Sequence, residues 1–249
     1  MFDPEEYAAR SEETIRSDVR MISGCEDQQT SADVSNVSKF DLPDPAGRAG
    51  GACTSALLNV LYQDHKDTGS DLSFVEVLRK MRTDLQKGRF TQNPQLSSSR
   101  KIDLAAPFRV TGGGGGGNGT KRAVLVGINY VGQQGQLSGC HNDALNIKQY
   151  LMKVHGFPES NIQVLLDDNT NTNPTRSNII QALQTVVQQS QSGDSVFFHY
   201  SGTYTAYIYI YCTLFCALCS ALGVRRCVRP SPNVFFFSGF VSLEILDGD

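Results

Sequence analysis

The side chains able to do chemistry gather at three places: Cys140-His141-Asn142-Asp143, Asp167-Asp168, and His199 with Ser201. A cysteine beside a histidine suggests a thiol nucleophile with its base. Neighbours at the start of a helix, however, diverge by about 100°, so Cys140 and His141 are not expected to bond directly. A cysteine at a helix N-terminus can be reactive through a lowered pKa, which keeps Cys140 open as an alternative nucleophile beside the reading of an inert core thiol. His199 and Ser201 are two apart on a strand and share a face. His199 reads either as a substitute base or as a buried core histidine. Asp167-Asp168 stand between a strand and an Asn/Thr-rich loop, where two carboxylates either bind a metal or serve a solvated turn. Cys212, Cys216, Cys219 and Cys227 do not form two paired Cys-x-x-Cys hooks and have no His nearby, so no metal site is expected there.

The elements that must position these groups follow from periodicity. Ala123 to Ile128 is a continuous apolar run, the mark of a strand covered on both faces in a parallel sheet. A helix over Asp143 to Val154 turns Ala144, Ile147, Leu151 and Val154 inward. Ile162 to Leu166 is the next strand, and Thr175 caps a helix carrying Ile179, Ile180, Leu183, Val186 and Val187. Val196-Phe197-Phe198 is the third strand. This order implies an α/β sheet with right-handed crossovers, whose functional groups collect at the carboxyl ends of its strands.

Upstream, Val19 to Ile22 is a short strand, and Cys53, Ala56, Leu57, Val60 and Leu61 form one helix face. Ser73-Phe74-Val75-Glu76 has the form of a capping box opening a helix with Phe74, Leu78, Met81 and Leu85 on its apolar side. Pro94 to Ser99 is polar and extended. Between the halves, Gly112 to Gly117 is a run without side chains to bury. Residues 111–120 therefore read as a flexible linker spanning about 15 Å.

The chain has 249 residues, 40% hydrophobic, enough for a core, and a net charge of −3 with a pI near 5.8. There is no basic field to attract nucleic acid. The start, Met1-Phe2-Asp3-Pro4, lacks the basic and apolar regions of a secretory signal, which favours a cytoplasmic location. Seven cysteines, an odd number, read as reduced thiols.

Three stretches, Lys121 to Tyr130, Leu137 to Ala144 and Gly193 to Gly202, resemble the opening of the large subunit of the metacaspases, a family of caspase-like cysteine endopeptidases. Met21 to Asp33, Gly50 to Thr54, Met81-Arg82 and Pro94 to Ser99 are similar to that family's small subunit, which here comes first. Such inverted order marks the type III metacaspases. The resemblance implies a caspase-like three-layer α/β fold with a mostly parallel sheet, permuted and incomplete. It divides the chain into a small-subunit-like region (1–110), the linker (111–120), part of a large-subunit region (121–202) and an anomalous apolar tail (203–249).

It also implies roles. Cys140, Asp143 and Ser201 match residues lining the pocket for the substrate's Arg or Lys side chain, and a buried Asp143 carboxylate suits that cation. This gives Cys140 a substrate-pocket reading beside the other two. Asp27 and Asp33 either reach the cleft or cap loops. Thr203 occupies the position of the family's catalytic base, and no segment like that of the family's nucleophile follows. The implied lineage is a peptidase acting on polypeptides, with the catalytic pair missing and no activity expected as given. The alternative is a non-catalytic binding protein. No cofactor is expected; the family's activating calcium is bound beyond the base position, where this chain has no acidic cluster.

Residues 203 to 224 hold no charge and on length qualify as a membrane span, though a membrane partner is not expected. The abrupt loss of similarity after Gly202 points instead to a translated intron or mis-joined reading frame, which the transcript across this junction tests. A strand between the third strand and the small-subunit strands is missing, so two unpaired edges and poor stability are expected. Val234 to Phe237 is the only apolar run able to fill that gap.

Overall fold

The computed structural model describes residues 5, 6, 9, 18–26, 28–40, 42, 47–64, 72–110 and 119–203, with the backbone alone of 236–244. The glycine run, Asp27, the four tail cysteines and most of the candidate membrane span lie outside these residues.

The expected strand-helix alternation is present. Strand β5 (Lys121–Gly127) leads through helix α3 (Cys140–His155) to β6 (Ile162–Leu166), then through α4 (Arg176–Gln189) to β7 (Ser195–Thr203). β5 pairs in parallel with both β6 and β7. The chain moves outward from β5 to β6 and then back past β5 to β7, so crossovers of one hand must place α3 and α4 on opposite faces. They do. Ala123, Leu125 and Phe197 pack with Ala144, Ile147 and Leu151 on one side. Val124, Val126, Phe198 and Tyr200 pack with Ile179, Leu183 and Val186 on the other.

The N-terminal unit joins the α3 side. It supplies β1 (Asp18–Ser23), a two-residue ribbon of β2 (Asp33–Val34) and β3 (Gly50–Gly51), helices α1 (Ala52–Asp64) and α2 (Phe74–Lys87), and β4 (Gln95–Ser98). All five residues of the expected α1 face are buried, and so are Ala52 and Leu58, because α1 lies inside the main core. In α2 the capping box forms: Ser73 Oγ accepts from the Glu76 amide and Glu76 Oε2 accepts from the Ser73 amide at 2.8 Å. Its core face uses Val77 rather than Leu78, which is half-buried. Helix–sheet–helix packing thus gives the three-layer caspase-like α/β fold.

The six-stranded sheet has the order β4-β1-β8-β7-β5-β6, with β8 spanning Phe236–Glu244. The expected gap is therefore not open. β8 fills it, pairing antiparallel with β7 from Thr203↔Phe236 to Ser195↔Glu244 and with β1 from Ser23↔Gly239 to Asp18↔Glu244. The physical reason is that a central slot leaves two rows of backbone donors and acceptors unpaired, and nine residues of backbone satisfy both whatever their direction. Of the expected apolar run, Phe236 and Phe237 take part; Val234 and Phe235 lie outside the described residues.

Candidate functional site

Because the chain leaves β5 for β6 on one side while β7 lies on the other, the carboxyl ends of β5 and β7 form the switch point of the sheet, the place where folds of this kind open a crevice. Two glycines let the backbone close around it. A Cβ on Gly127, the last residue of β5, would sit 2.3 Å from the Cys140 carbonyl oxygen, so only glycine lets α3 start against the strand end. A Cβ on Gly139 would sit 2.4 Å from the Gly50 Cα and 2.5 Å from Asp33 Oδ1. Helix α3 therefore begins in backbone contact with the ribbon of the N-terminal unit.

Asp143 lies one turn into α3 and is 1% exposed. Its Oδ2 accepts from Ser201 Oγ of β7 at 2.8 Å and its Oδ1 from the Gly51 amide of β3 at 2.8 Å, with the Thr54 hydroxyl adding a further bond. Burial pushes this carboxyl up to about 7, against the pull of the Ser201, Gly51 and Thr54 bonds; the neighbouring Asp33 charge adds to the rise. The three pocket residues expected from sequence thus come together. Cys140 lies on the same helix, and the Ser201 hydroxyl meets both its thiol and Asp143.

Burial, followed by the nearby Asp143 charge, drives the Cys140 thiol well above the ordinary cysteine range, and the Ser201 bond only partly offsets this. Cys53 behaves likewise, through burial and then Cys25 and Asp143. A thiol so held is protonated and unreactive at neutral pH. Cys25, Cys53 and Cys140 are all buried and in no disulfide.

His141 turns away from Cys140 and places Nε2 on Asp167 Oδ1 at the end of β6. Burial alone would raise Asp167, but the His141 bond and the Asn129 and Val131 amides hold it below the usual carboxylate range. Asp168 accepts from the Thr170 and Asn171 amides at 3.0 and 2.8 Å, a turn role. Among the described residues no three His, Cys, Asp or Glu gather as a metal site.

His199 is 1% exposed and faces the α3 side with Ser201, in the interior rather than at the strand end. Thr203 is at that end. Its amide and Oγ1 donate to the Tyr130 hydroxyl at 3.1 and 2.8 Å, and its carbonyl accepts from Tyr200. A threonine so placed carries no basic group. Asp33 is also at the rim, with Oδ2 accepting from the Ser138 amide at 2.8 Å.

Sequence reasoning missed Asn129. Gly139 makes no side-chain cap for α3, and Asn129 Oδ1 accepts the Cys140 amide at 2.9 Å instead. It also missed Gly51 and Thr54 as partners of Asp143; the paired glycines before a helix were the available signal. Among the described residues no helix is long and apolar enough to cross a membrane.

Comparison with known proteins agrees with this geometry. Residues 121–208 match the family described as "Metacaspase, peptidase C14 domain", and residues 3–104 match "Caspase domain". The chain is 52% identical over 199 residues to "Metacaspase III c" of Phaeodactylum tricornutum, covering 80% of this chain and 58% of that protein. It is 46% identical over 86 residues to "Metacaspase-1A" of Aspergillus oryzae, 34% of this chain and 20% of the relative. A similar match, 46% over 86 residues, is to "Metacaspase-1" of Cryptococcus neoformans. The chain thus spans little more than half the length of the longest-matching of these relatives. With a caspase-like sheet, family matches on both sides of the glycine run and half-identity over most of its length, the chain belongs to the metacaspases.

Proposed function

We propose that this chain recognises polypeptides through an Arg or Lys side chain and does not cleave them. The observation that carries the reading is the Asp143 carboxylate, buried between Ser201 and Gly51 at the crevice where α3, β7 and the N-terminal unit meet. An entering guanidinium or ammonium would replace like-charge and desolvation costs with an ion pair, so Asp143 would ionise fully on binding. Cys140 supplies the apolar wall, and Ser201 orients the carboxylate.

Cleavage by a metacaspase needs a His base and a Cys thiolate, the thiolate attacking the scissile carbonyl to form a thioester. By the resemblance Thr203 stands at the base position, and a threonine has no basic group to take the thiol proton. Loss of either partner removes most of the rate. The polypeptide substrate class is that of the peptidase family; Arg/Lys selectivity, the missing pair and the type III order are the parts proposed.

The test is an Arg-containing fluorogenic peptide assayed with and without calcium, beside a binding titration with Nα-acetyl-arginine amide. Binding without hydrolysis above the buffer rate is expected. Calcium-stimulated, thiol-dependent hydrolysis would overturn the non-catalytic reading, and failure of the amide to bind would overturn the pocket.

A further inference from the structure

We propose that Asp33 is a positioning residue for the Asp143 pocket, pinning the start of helix α3 to the N-terminal ribbon and setting the affinity of Asp143 for a cationic side chain. The proposal rests on the pocket reading of Asp143 but is separable from it. Asp33 and Gly51 are partners across the β2–β3 ribbon. The two residues grip α3 at successive points: Asp33 Oδ2 takes the Ser138 amide just ahead of the helix, and the Gly51 amide takes Asp143 Oδ1 inside its first turn. Only a glycine's breadth lies between Asp33 and the helix start, so ribbon and helix are packed in direct contact there. Asp33 is itself exposed at the rim, whereas Asp143 is enclosed.

The groups acting on Asp143 from each packed element are few. From α3 there is the Cys140 thiol, from α1 the Cys53 thiol and the Thr54 hydroxyl, from β7 the neutral Ser201 and, on the same face, His199, and from β2 Asp33. The Cys140 and Cys53 thiols are held protonated, which leaves Asp33 as the other carboxylate among these neighbours. Its charge opposes ionisation of Asp143, and a cation bound there would relieve both carboxylates together.

The experiment compares the full chain with its Asp33→Asn and Asp33→Glu variants, following the Asp143 carboxyl carbon by NMR through pH 4–9, with and without Nα-acetyl-arginine amide. Asparagine keeps an acceptor for the Ser138 amide and removes the charge. The expected result is that the Asp143 midpoint falls by about half a unit or more in Asp33→Asn and returns in Asp33→Glu, as removal of a close like charge requires. The pH at which the amide's affinity is half-maximal should move with it. An unchanged midpoint in a folded Asp33→Asn protein overturns the proposal. If Asp33→Asn does not fold, Asp33→Ser, which also removes the charge, is measured in the same way: a lowered Asp143 midpoint supports the proposal and an unchanged one overturns it. A midpoint that moves while the amide binds none of the proteins sinks the pocket and leaves the role of Asp33 standing.

Discussion

Asp143 concentrates both the proposed function and the cost of the site. Its carboxyl is raised by burial from 3.8 to about 7, so the folded state binds a proton that the unfolded chain releases near pH 4. Stability from this group is complete below the unfolded value and is lost as pH rises through about 7. By linkage the three-unit difference corresponds to about 4 kcal/mol as an upper figure. Urea midpoints measured from pH 4.5 to 8 should fall for the wild-type chain and show a markedly smaller fall in Asp143→Asn. The same variant should lose arginine-amide binding by tenfold or more, since a neutral amide cannot form the ion pair. Asp143, Cys140 and Ser201 were legible in the sequence because a resemblance carried them together. The Thr54 and Gly51 bonds were not, since they join residues about ninety positions apart and leave no local pattern.

At the level of elements, what could be read from sequence divides by range. The capping box at Ser73 and Glu76 was legible because both partners lie within one turn, and Ser73→Ala should destabilise the chain by about 1 kcal/mol in thermal or urea unfolding. The start of α3 was read three residues late. Its cap comes from Asn129 across a loop, so no cap signal precedes Cys140. Gly139→Ala offers a sharp check on that junction. The added Cβ would meet backbone of Gly50 and the carboxylate of Asp33, neither of which is a flexible side-chain end, so a loss of about 1–3 kcal/mol is expected. Because the shift would separate ribbon from helix, arginine-amide binding should weaken as well.

For the molecule as a whole, the sheet is continuous from β4 to β6 because β8 occupies its middle. Short apolar runs announced β5, β6 and β7. For β8 they marked only its first two residues, Phe236 and Phe237, since strand pairing there is decided by two open backbone edges distant in sequence rather than by the strand's own pattern. Ending the chain at Thr203 should expose β7 and β1 together; light scattering on such a protein should report aggregation where the full chain stays dispersed, and a dispersed, protease-resistant truncation would contradict this. The direction of β8 carries a further consequence. Phe236 faces Thr203, at the pole where the crevice opens, while Glu244 faces Ser195 at the opposite pole. The strand enters at the crevice and runs away from it, so whatever follows Glu244 starts out a full sheet's height from Asp143. A side chain delivered to the crevice along this slot must come from the residues that lead into β8, not from those that leave it.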